Sequence, residues 1–378
     1  MPNLNTNEYT FSSVRIRALE SDLVGRDRIE QLLEIQSGEQ LLSALSGFGF
    51  AVPEDERITD KIPSSVFEPM LQETLRKAYA TVAEDLPDAT VLNLMRYRYD
   101  CHNVKSALKC AVRNLPAGDL MIPLGSVPLS EYPEMLRKHD YSLLPAHMAA
   151  GAAEAETAYA ATSNPQSIDL ILDKACYLDL SDVCKTLGSG ILTDYVQSRA
   201  DLTNAVMTLR VIRMGDTPSS AALLDSALLP LGKMNRSFFT DARAEGEEVF
   251  LEKFSYSPYY RVGRAFAEGE QTLSEFERLC DDELMDRLRG IRFIHYKLLY
   301  TVQRYKKFGE LSNFIVSLQH DCHCTHRKRP HDEVWRTPTK RTCRIIGQPH
   351  RLRTTVPQYR STSWFGRLFS YLVALGLQ

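Results

Sequence analysis

The sequence of 378 residues has almost none of the signals that mark membrane-spanning, secreted or β-rich proteins. No stretch of 18 or more apolar residues occurs, so no direct membrane span is predicted. The first residues, MPNLNTNEYTF, lack a basic start followed by an apolar run, which argues against a signal peptide. Alternating β-branched segments with Asn-Gly turns are nearly absent, which argues against a sheet-based fold.

Motifs that carry catalysis or bind cofactors are also missing. The sequence contains no phosphate-binding G-x-x-x-x-G-K-[ST], no G-x-S-x-G, no H-E-x-x-H and no paired C-x-x-C. Gly188-Ser-Gly190 is interpreted as a helix stop, and the adjacent Asp281 and Asp282 as part of a solvated helix face. We therefore expect neither an enzyme nor a bound cofactor.

The eight cysteines are scattered over a long chain, which favours reduced thiols in a cytosolic protein. One cluster could ligate a metal, because thiols and imidazoles are zinc ligands. It consists of His320, Cys322, His323, Cys324 and His326. Its C-x-C spacing is unusual and no matching second half follows, so the preferred interpretation is that no metal is bound.

Charge divides the chain near residue 320. The net charge is −3, which argues against a nucleic-acid partner for the chain as a whole. Residues 1–319 hold 34 basic and 45 acidic side chains, whereas residues 320–378 hold eleven basic and three acidic ones. The long first part is therefore acidic and the tail is basic.

An internal repeat organises the acidic part. The pattern acidic-x-x-Asn-apolar-x-x-x-Leu occurs three times. Its acidic and amide residues are Asp100 and Asn103, Asp201 and Asn204, and Glu310 and Asn313. Successive copies are 101 and 109 residues apart, which favours closed domains over a solenoid of shorter repeats.

An apolar-acidic pair lies upstream of each motif. The pairs are Phe67-Glu68, Ile168-Asp169 and Phe276-Glu277, and their acidic residues precede the motif acid by 32, 32 and 33 residues. A weaker marker also recurs, as Val24-Gly25, Leu124-Gly125 and Leu231-Gly232. The shared spacing of independent patterns is what supports the repeat.

Each repeat is predicted to be helical. Apolar positions recur at spacings of three and four around residues 170–178 and 279–288, as on one helix face. The sequence therefore predicts an all-α protein of three similar helical domains, residues 1–116, 117–217 and 218–319. A divergent tail follows at residues 320–378.

The repeated motif allows two compatible interpretations. Residues three apart share a helix face, and an acidic residue near a helix N-terminus suits the helix dipole. The motif could then cap and seat one helix within each domain. Alternatively, three equivalent helices could line a common surface around a pseudo-threefold axis.

The opening residues, Tyr9, Val14-Arg15-Ile-Arg17-Ala-Leu19-Glu20 and Leu23, are similar to the start of the C subunit of archaeal A-type and V-type ATPases, whose eukaryotic equivalent is the d subunit. Asp27, Leu32-Leu33, Leu41-Leu42 and Leu45 resemble the next helices of that family. The stretch from Glu154 and Tyr159 to Ile168-Asp169, Asp173-Lys174 and Tyr177 also resembles the family, and so does the repeated motif.

This resemblance covers roughly residues 9–319 and implies a pseudo-threefold funnel of three helical domains. The funnel would receive the D and F subunits of the central shaft and sit on the proteolipid subunits of the rotor ring. It would be peripheral, on the cytoplasmic side of the cell membrane, and would couple shaft to ring without catalysis. The alternatives are a helical-repeat scaffold that binds peptides and a metal-dependent enzyme using the His/Cys cluster.

The resemblance weakens towards the C-terminus. The stretch Phe293–Phe308 matches the family poorly, and residues 320–378 match nothing recognisable. A shifted reading frame near the end of the gene would explain the abrupt change in composition. Four prolines interrupt the tail, so residues 320–362 are predicted to be irregular, with a short helix only at Trp364–Leu377.

Overall fold

A computed structural model describes residues 10–21, 28, 31–32, 34–35, 37–50, 52, 64–84, 86, 90–215 and 217–290. Every regular element with assigned bounds in these residues is a helix, which confirms the all-α class. The helices are α1 (Thr10–Ser21), α2 (Gly38–Gly47), α3 (Ser64–Glu84), α4 (Thr90–Ala111), α5 (Tyr132–Lys138), α6 (Ala146–Thr162), α7 (Pro165–Leu187), α8 (Gly190–Arg213), α9 (Pro218–Ala227), α10 (Arg236–Glu245), α11 (Glu247–Phe254), α12 (Tyr260–Glu268) and α13 (Leu273–Gly290). Two short 3-10 turns lie at Gly118–Leu120 and Leu129–Glu131.

Helices α7 and α8 are separated by a two-residue break that the sequence encodes. Gly188 ends α7 in the left-handed conformation at φ 63°, which glycine adopts without steric cost. Ser189 then caps α8, and its hydroxyl accepts a hydrogen bond from Leu192 N at 3.3 Å. The prediction of a helix stop at Gly188-Ser-Gly190 is thus confirmed.

The N-terminus of helix α6 is hydrogen-bonded to helix α7. The buried carboxylate of Asp179 accepts hydrogen bonds from the backbone N–H groups of His147 and Met148 at 2.9 and 2.8 Å. Along the pair, Gly151 lets the helices approach closely, because a Cβ there would lie 2.9 Å from the Ala175 Cβ. Helices α6 and α7 therefore pack as a tight antiparallel hairpin.

The two motif-bearing helices, α4 and α8, lie at the centre of the fold. Residues 98–110 of α4 are all buried, polar side chains included. Helix α4 packs against α5, α6 and α7, and α8 packs against α7, α9, α10, α11 and α13. The segment 98–110 of α4 has no solvated face, so its polar residues need partners within the protein.

Aromatic side chains fill the space beside α8. Four phenylalanine rings here are fully buried: Phe250, Phe254, Phe266 and Phe276. Phe276 contacts the other three, and Phe250 also contacts Phe254, with ring centroids 5.1 to 6.4 Å apart in these pairs. Burial of each such ring stabilises the fold by about 1.5–3 kcal/mol. Phe276, the apolar member of the third upstream pair, therefore anchors α13 in this cluster.

The expected boundaries at residues 116 and 217 fall in breaks between helices, after α4 and before α9. The division into three domains around a pseudo-threefold axis stays a prediction. Residues 291–378 lie outside the described residues. The predictions for Glu310, Asn313, the His/Cys cluster and the tail therefore concern positions that the structure does not describe.

Candidate functional site: two equivalent junctions

Both motifs within the described residues lie in the middle of long helices, not at their ends. Asp100 and Asn103 are in α4, and Asp201 and Asn204 are in α8; the two carboxylates are 0% exposed. The expectation that the acidic residue suits a helix N-terminus is therefore wrong. The reason is that each carboxylate accepts hydrogen bonds from a loop that follows in the chain.

At the first junction, the motif of α4 holds residues 122–127. Asp100 Oδ2 accepts hydrogen bonds from the N–H and hydroxyl of Ser126 at 2.9 and 2.7 Å, and Oδ1 accepts from Val127 N at 3.1 Å. The Asn103 amide makes two bonds with Ile122: it donates to the carbonyl at 2.9 Å and accepts from the N–H at 2.7 Å. The loop is thereby fixed at both ends.

At the second junction, the motif of α8 holds residues 229–234 in the same way. Asp201 accepts hydrogen bonds from Lys233 N at 2.9 Å and Met234 N at 3.1 Å. Asn204 again makes two bonds with one residue, donating to Leu229 O at 3.0 Å and accepting from Leu229 N at 2.7 Å. The hydroxyl of the buried Tyr259 donates to Asp201 Oδ2 at 2.8 Å.

A glycine lies against each carboxylate, and this explains the third sequence marker. A Cβ built on Gly125 would overlap Asp100 Oδ1, and one on Gly232 would overlap Asp201 Oδ1. No larger residue fits without displacing the carboxylate, because the added Cβ and the carboxylate oxygen cannot occupy the same space. Leu124-Gly125 and Leu231-Gly232 therefore mark the loops that the motifs hold.

The upstream pairs contribute a second contact to each junction. Asp169 of α7 accepts hydrogen bonds from Lys109 Nζ at 2.6 Å, and Glu277 of α13 accepts one from Arg210 at 2.6 Å. Lys109 and Arg210 each follow the motif acid by nine residues. Each motif helix is thus tied both to the loop that follows it and to a later helix that carries an upstream acid.

The remaining upstream acid, Glu68, lies in α3. It is the fifth residue of its helix, as Asp169 is of α7 and Glu277 is of α13. The three acidic residues therefore have the same position in their helices. The third motif, Glu310 and Asn313, lies outside the described residues.

Burial sets the electrostatics of the junctions. It raises the pKa of the Asp100 carboxyl, against the hydrogen bonds from Ser126 and Val127. Burial likewise raises the pKa of Asp201, against the hydrogen bonds from Tyr259 and the loop. Charged carboxylates are nevertheless suited to these sites, because several N–H and O–H groups point at each one.

The first junction contains a buried histidine and a second buried lysine. His102 Nε2 lies 2.8 Å from Leu120 O, and burial lowers the pKa of its imidazole to about 4, so the ring is neutral at pH 7. Lys105 pairs with Asp173 of α7. Burial lowers the pKa of Lys105, but the Asp173 charge opposes this and the net pKa is raised, so this lysine stays charged.

The junctions are suited to holding parts of the protein together, not to chemistry. The side chains of Asp100, Asn103, Asp201 and Asn204 bond to the chain itself. Among the described residues, no group of three His, Cys, Asp or Glu side chains could hold a metal ion. The repeated pattern identifies the acidic and amide residues but does not single out Lys109, Arg210 or Tyr259. A cation stands nine residues after Asp100 and after Asp201 but not after Glu310, where the residue is Gln319, so this signal marks only the first two motifs.

Comparison with known proteins assigns the chain. Residues 12–301 match the family described as ATP synthase (C/AC39) subunit. The chain belongs to this family. The resemblance inferred from the repeats is thereby confirmed, as is the prediction of an ATP synthase component that is not itself catalytic.

Two relatives of this chain are C subunits of A-type ATP synthases. The one from Thermococcus kodakarensis is 22% identical over 306 residues, which cover 76% of this chain and 79% of that protein. The one from Methanocaldococcus jannaschii is 25% identical over 132 residues, or 34% of this chain and 33% of that protein. The first match spans most of both chains, so the family assignment does not depend on a short segment.

As a member of an ATP synthase subunit family, the chain is part of a multisubunit complex. None of its helices within the described residues is both long enough and apolar enough to cross a membrane.

Proposed function

We propose that this protein is the central-stalk coupling part of a rotary A-type or V-type ATP synthase. It would connect the D and F subunits of the central shaft to the proteolipid subunits of the membrane rotor ring during proton or sodium transport. The family match over residues 12–301 is the observation that carries the proposal. The protein would lie peripherally on the cytoplasmic side of the membrane.

The junctions support a mechanical role. A part that passes torque between two partners needs connections that do not yield, and buried charge-assisted hydrogen bonds are stronger than neutral ones. Asp100 and Asp201 each accept at least three such bonds, and both are fully buried. Each motif helix is therefore held to the loop that follows it by contacts that resist sliding.

The acidic charge supports a basic partner. Residues 1–319 hold 45 acidic and 34 basic side chains. Charge complementarity would speed and orient the docking of a shaft tip that carries basic residues. Binding of the isolated D–F shaft should then weaken between about 50 and 500 mM salt, because screening shortens to a few ångströms. An affinity unchanged by salt would contradict this part of the proposal.

Purification from native membranes tests the proposal as a whole. The full chain, tagged and extracted in mild detergent, should copurify with rotor-ring proteolipids and the shaft proteins in stoichiometric amounts. Recovery of the chain with neither would overturn the proposal. Recovery with unrelated proteins that share a peptide motif would instead support the helical-repeat scaffold.

Coupling can be measured in the reconstituted complex. Replacing Asn204 by Ala removes both bonds to Leu229 at a buried position. We expect ATP hydrolysis to continue and ion transport per ATP to fall, because a loosened junction yields under torque. Glu248→Ala, at an exposed position of α11, is the matched control and should leave transport unchanged. Equal transport in both variants would contradict a torque-bearing junction.

A further inference from the structure

Two cysteines face each other across the first junction. Cys101 lies in α4 and Cys176 in α7, and both are buried. The Cys101 thiol donates to Leu172 O at 3.4 Å, and the Cys176 thiol donates to Tyr97 O at 3.7 Å. Each sulfur thus contacts the backbone of the opposite helix.

The reciprocity of these contacts fixes the relative position of the two residues. In an α-helix, the carbonyl of residue i−4 accepts from the N–H of residue i, so Leu172 O belongs to the turn that carries Cys176. Tyr97 O likewise belongs to the turn that carries Cys101. Each sulfur therefore lies beside the turn that carries the other cysteine.

We propose that Cys101 and Cys176 form a disulfide when the protein encounters a peroxide, and that this bond locks the first junction. One thiolate attacks the peroxide O–O bond, which gives a sulfenic acid and releases one molecule of water or alcohol. The second thiolate then attacks the sulfenic sulfur, the S–S bond forms, and water leaves. Two thiols are oxidised and one peroxide is reduced.

The reaction should be slow in the closed protein. The nearby Cys176 side chain, together with burial, raises the pKa of Cys101 well above its usual range. Thiolate, the reactive form, is therefore scarce until α4 and α7 separate. The proposed disulfide is thus a lock that forms after transient opening and then prevents further opening.

Of the two junctions within the described residues, the second lacks the cysteine pair. At the second junction, Leu202 has the same sequence separation from the motif acid as Cys101, and Leu284 has the same separation from the upstream acid as Cys176. Both leucines are buried and apolar. Among the described residues, no third His, Cys, Asp or Glu completes a metal site with the thiol pair. The inference concerns the junction and holds whether or not the protein occupies the central stalk.

Peptide mapping of the full chain tests the proposal. The protein is treated with hydrogen peroxide, remaining thiols are alkylated, and trypsin is added without reductant. We expect residues 99–105 to be found covalently joined to residues 175–185. Because the second peptide also carries Cys184, Cys184→Ala is the matched control and should keep the link, whereas Cys176→Ala should lose it.

A second measurement keeps the proposal testable if Cys176→Ala fails to fold. Fragmentation of the linked wild-type peptide should place the bond on Cys176. Oxidation should also raise the urea midpoint of the wild type and of Cys184→Ala, and dithiothreitol should reverse the rise. A bond on Cys184 would overturn the proposal, and so would oxidation of other cysteines with no bond between Cys101 and Cys176.

Discussion

The two junctions share the contacts that hold the loop and differ in what surrounds those contacts. In each, an aspartate accepts two successive backbone N–H groups after a glycine, and an asparagine pairs with the residue three before that glycine. At the first junction, two lysines of α4, Lys105 and Lys109, form ion pairs with Asp169 and Asp173 of α7. At the second junction, Arg210 of α8 pairs with Glu277 of α13, and a tyrosine hydroxyl bonds to the motif carboxylate.

This difference separates what the junction requires from what it tolerates. Backbone N–H and C=O groups in a buried loop must be paired, and the aspartate and asparagine satisfy that requirement in both copies. The contacts between helices can be polar, as at Cys101, or apolar, as at Leu202, because packing satisfies either choice. The hydrogen bonds to the loop are therefore the core of the junction.

The largest expected effect is loss of a junction aspartate. Asp201→Ala should lower the free energy of unfolding by about 3–5 kcal/mol, since each buried donor without an acceptor costs about 1–3 kcal/mol. Asp100→Ala should cost about 1 kcal/mol less, because Ser126 is exposed and can turn to water, whereas Tyr259 is fully buried. Urea denaturation measures both, and Glu248→Ala is the control. An equally small decrease in the free energy of unfolding in all three variants would show that the carboxylates do not stabilise the junctions.

Acidification should weaken the first junction and leave the second intact. The pKa of His102 is lowered from 6.5 to about 4 in the folded protein. As the pH falls, the His102 imidazole is therefore protonated in the unfolded chain before it is protonated in the folded protein. The free energy of unfolding then decreases between pH 6.5 and pH 4, by up to about 3 kcal/mol. Around His102 lie the charges of Lys105, Lys109 and Asp169.

The variant His102→Thr isolates this effect, because Thr203 occupies the same place in the second motif. The raised pKa values of Asp100 and Asp201 act in the opposite direction and are retained in the variant. Urea midpoints measured from pH 7 to 4 should fall more steeply in the wild type than in His102→Thr. Parallel curves would contradict a neutral buried histidine.

A smaller loss is expected when the junction glycines are replaced. Gly125→Ala and Gly232→Ala should each cost about 1–3 kcal/mol, because the added methyl group forces the carboxylate out of place. Gly118→Ala and Gly190→Ala are matched controls, since nothing lies within 4 Å of a Cβ at either position. Thermal unfolding should separate the two pairs of variants. A loss in the controls as large as in the junction variants would point to a general effect of removing glycine.

Much of the fold follows from residue patterns alone. Apolar spacing predicts the helices α7 and α13, and Gly188-Ser-Gly190 predicts the break between α7 and α8. The repeated spacing identifies Asp100 and Asp201 as structurally equivalent residues. A buried polar residue needs a bonding partner, so one that recurs in the sequence indicates a contact that also recurs. These features are local or periodic, so they can be recognised without three-dimensional information.

The partners of the motif could not be derived in the same way. Asn103 bonds to a residue 19 positions later, whereas Asn204 bonds to one 25 positions later, because α9 is inserted before the second loop. A variable separation hides the contact from any search for fixed spacing. Because the sequence does not reveal the contact with the loop, it suggests that the motif aspartate interacts with a helix dipole. In the structure, however, Asp100 lies far from either end of α4.

The most direct test of the account is residue-resolved hydrogen exchange at Ile122 and Leu229. These two amides donate to the side chains of Asn103 and Asn204. Asn103→Ala should speed exchange at Ile122 and leave Leu229 protected, and Asn204→Ala should do the reverse, because each loop depends on its own asparagine. If both variants leave both amides protected, or expose both equally, then the motifs do not hold the loops that follow them.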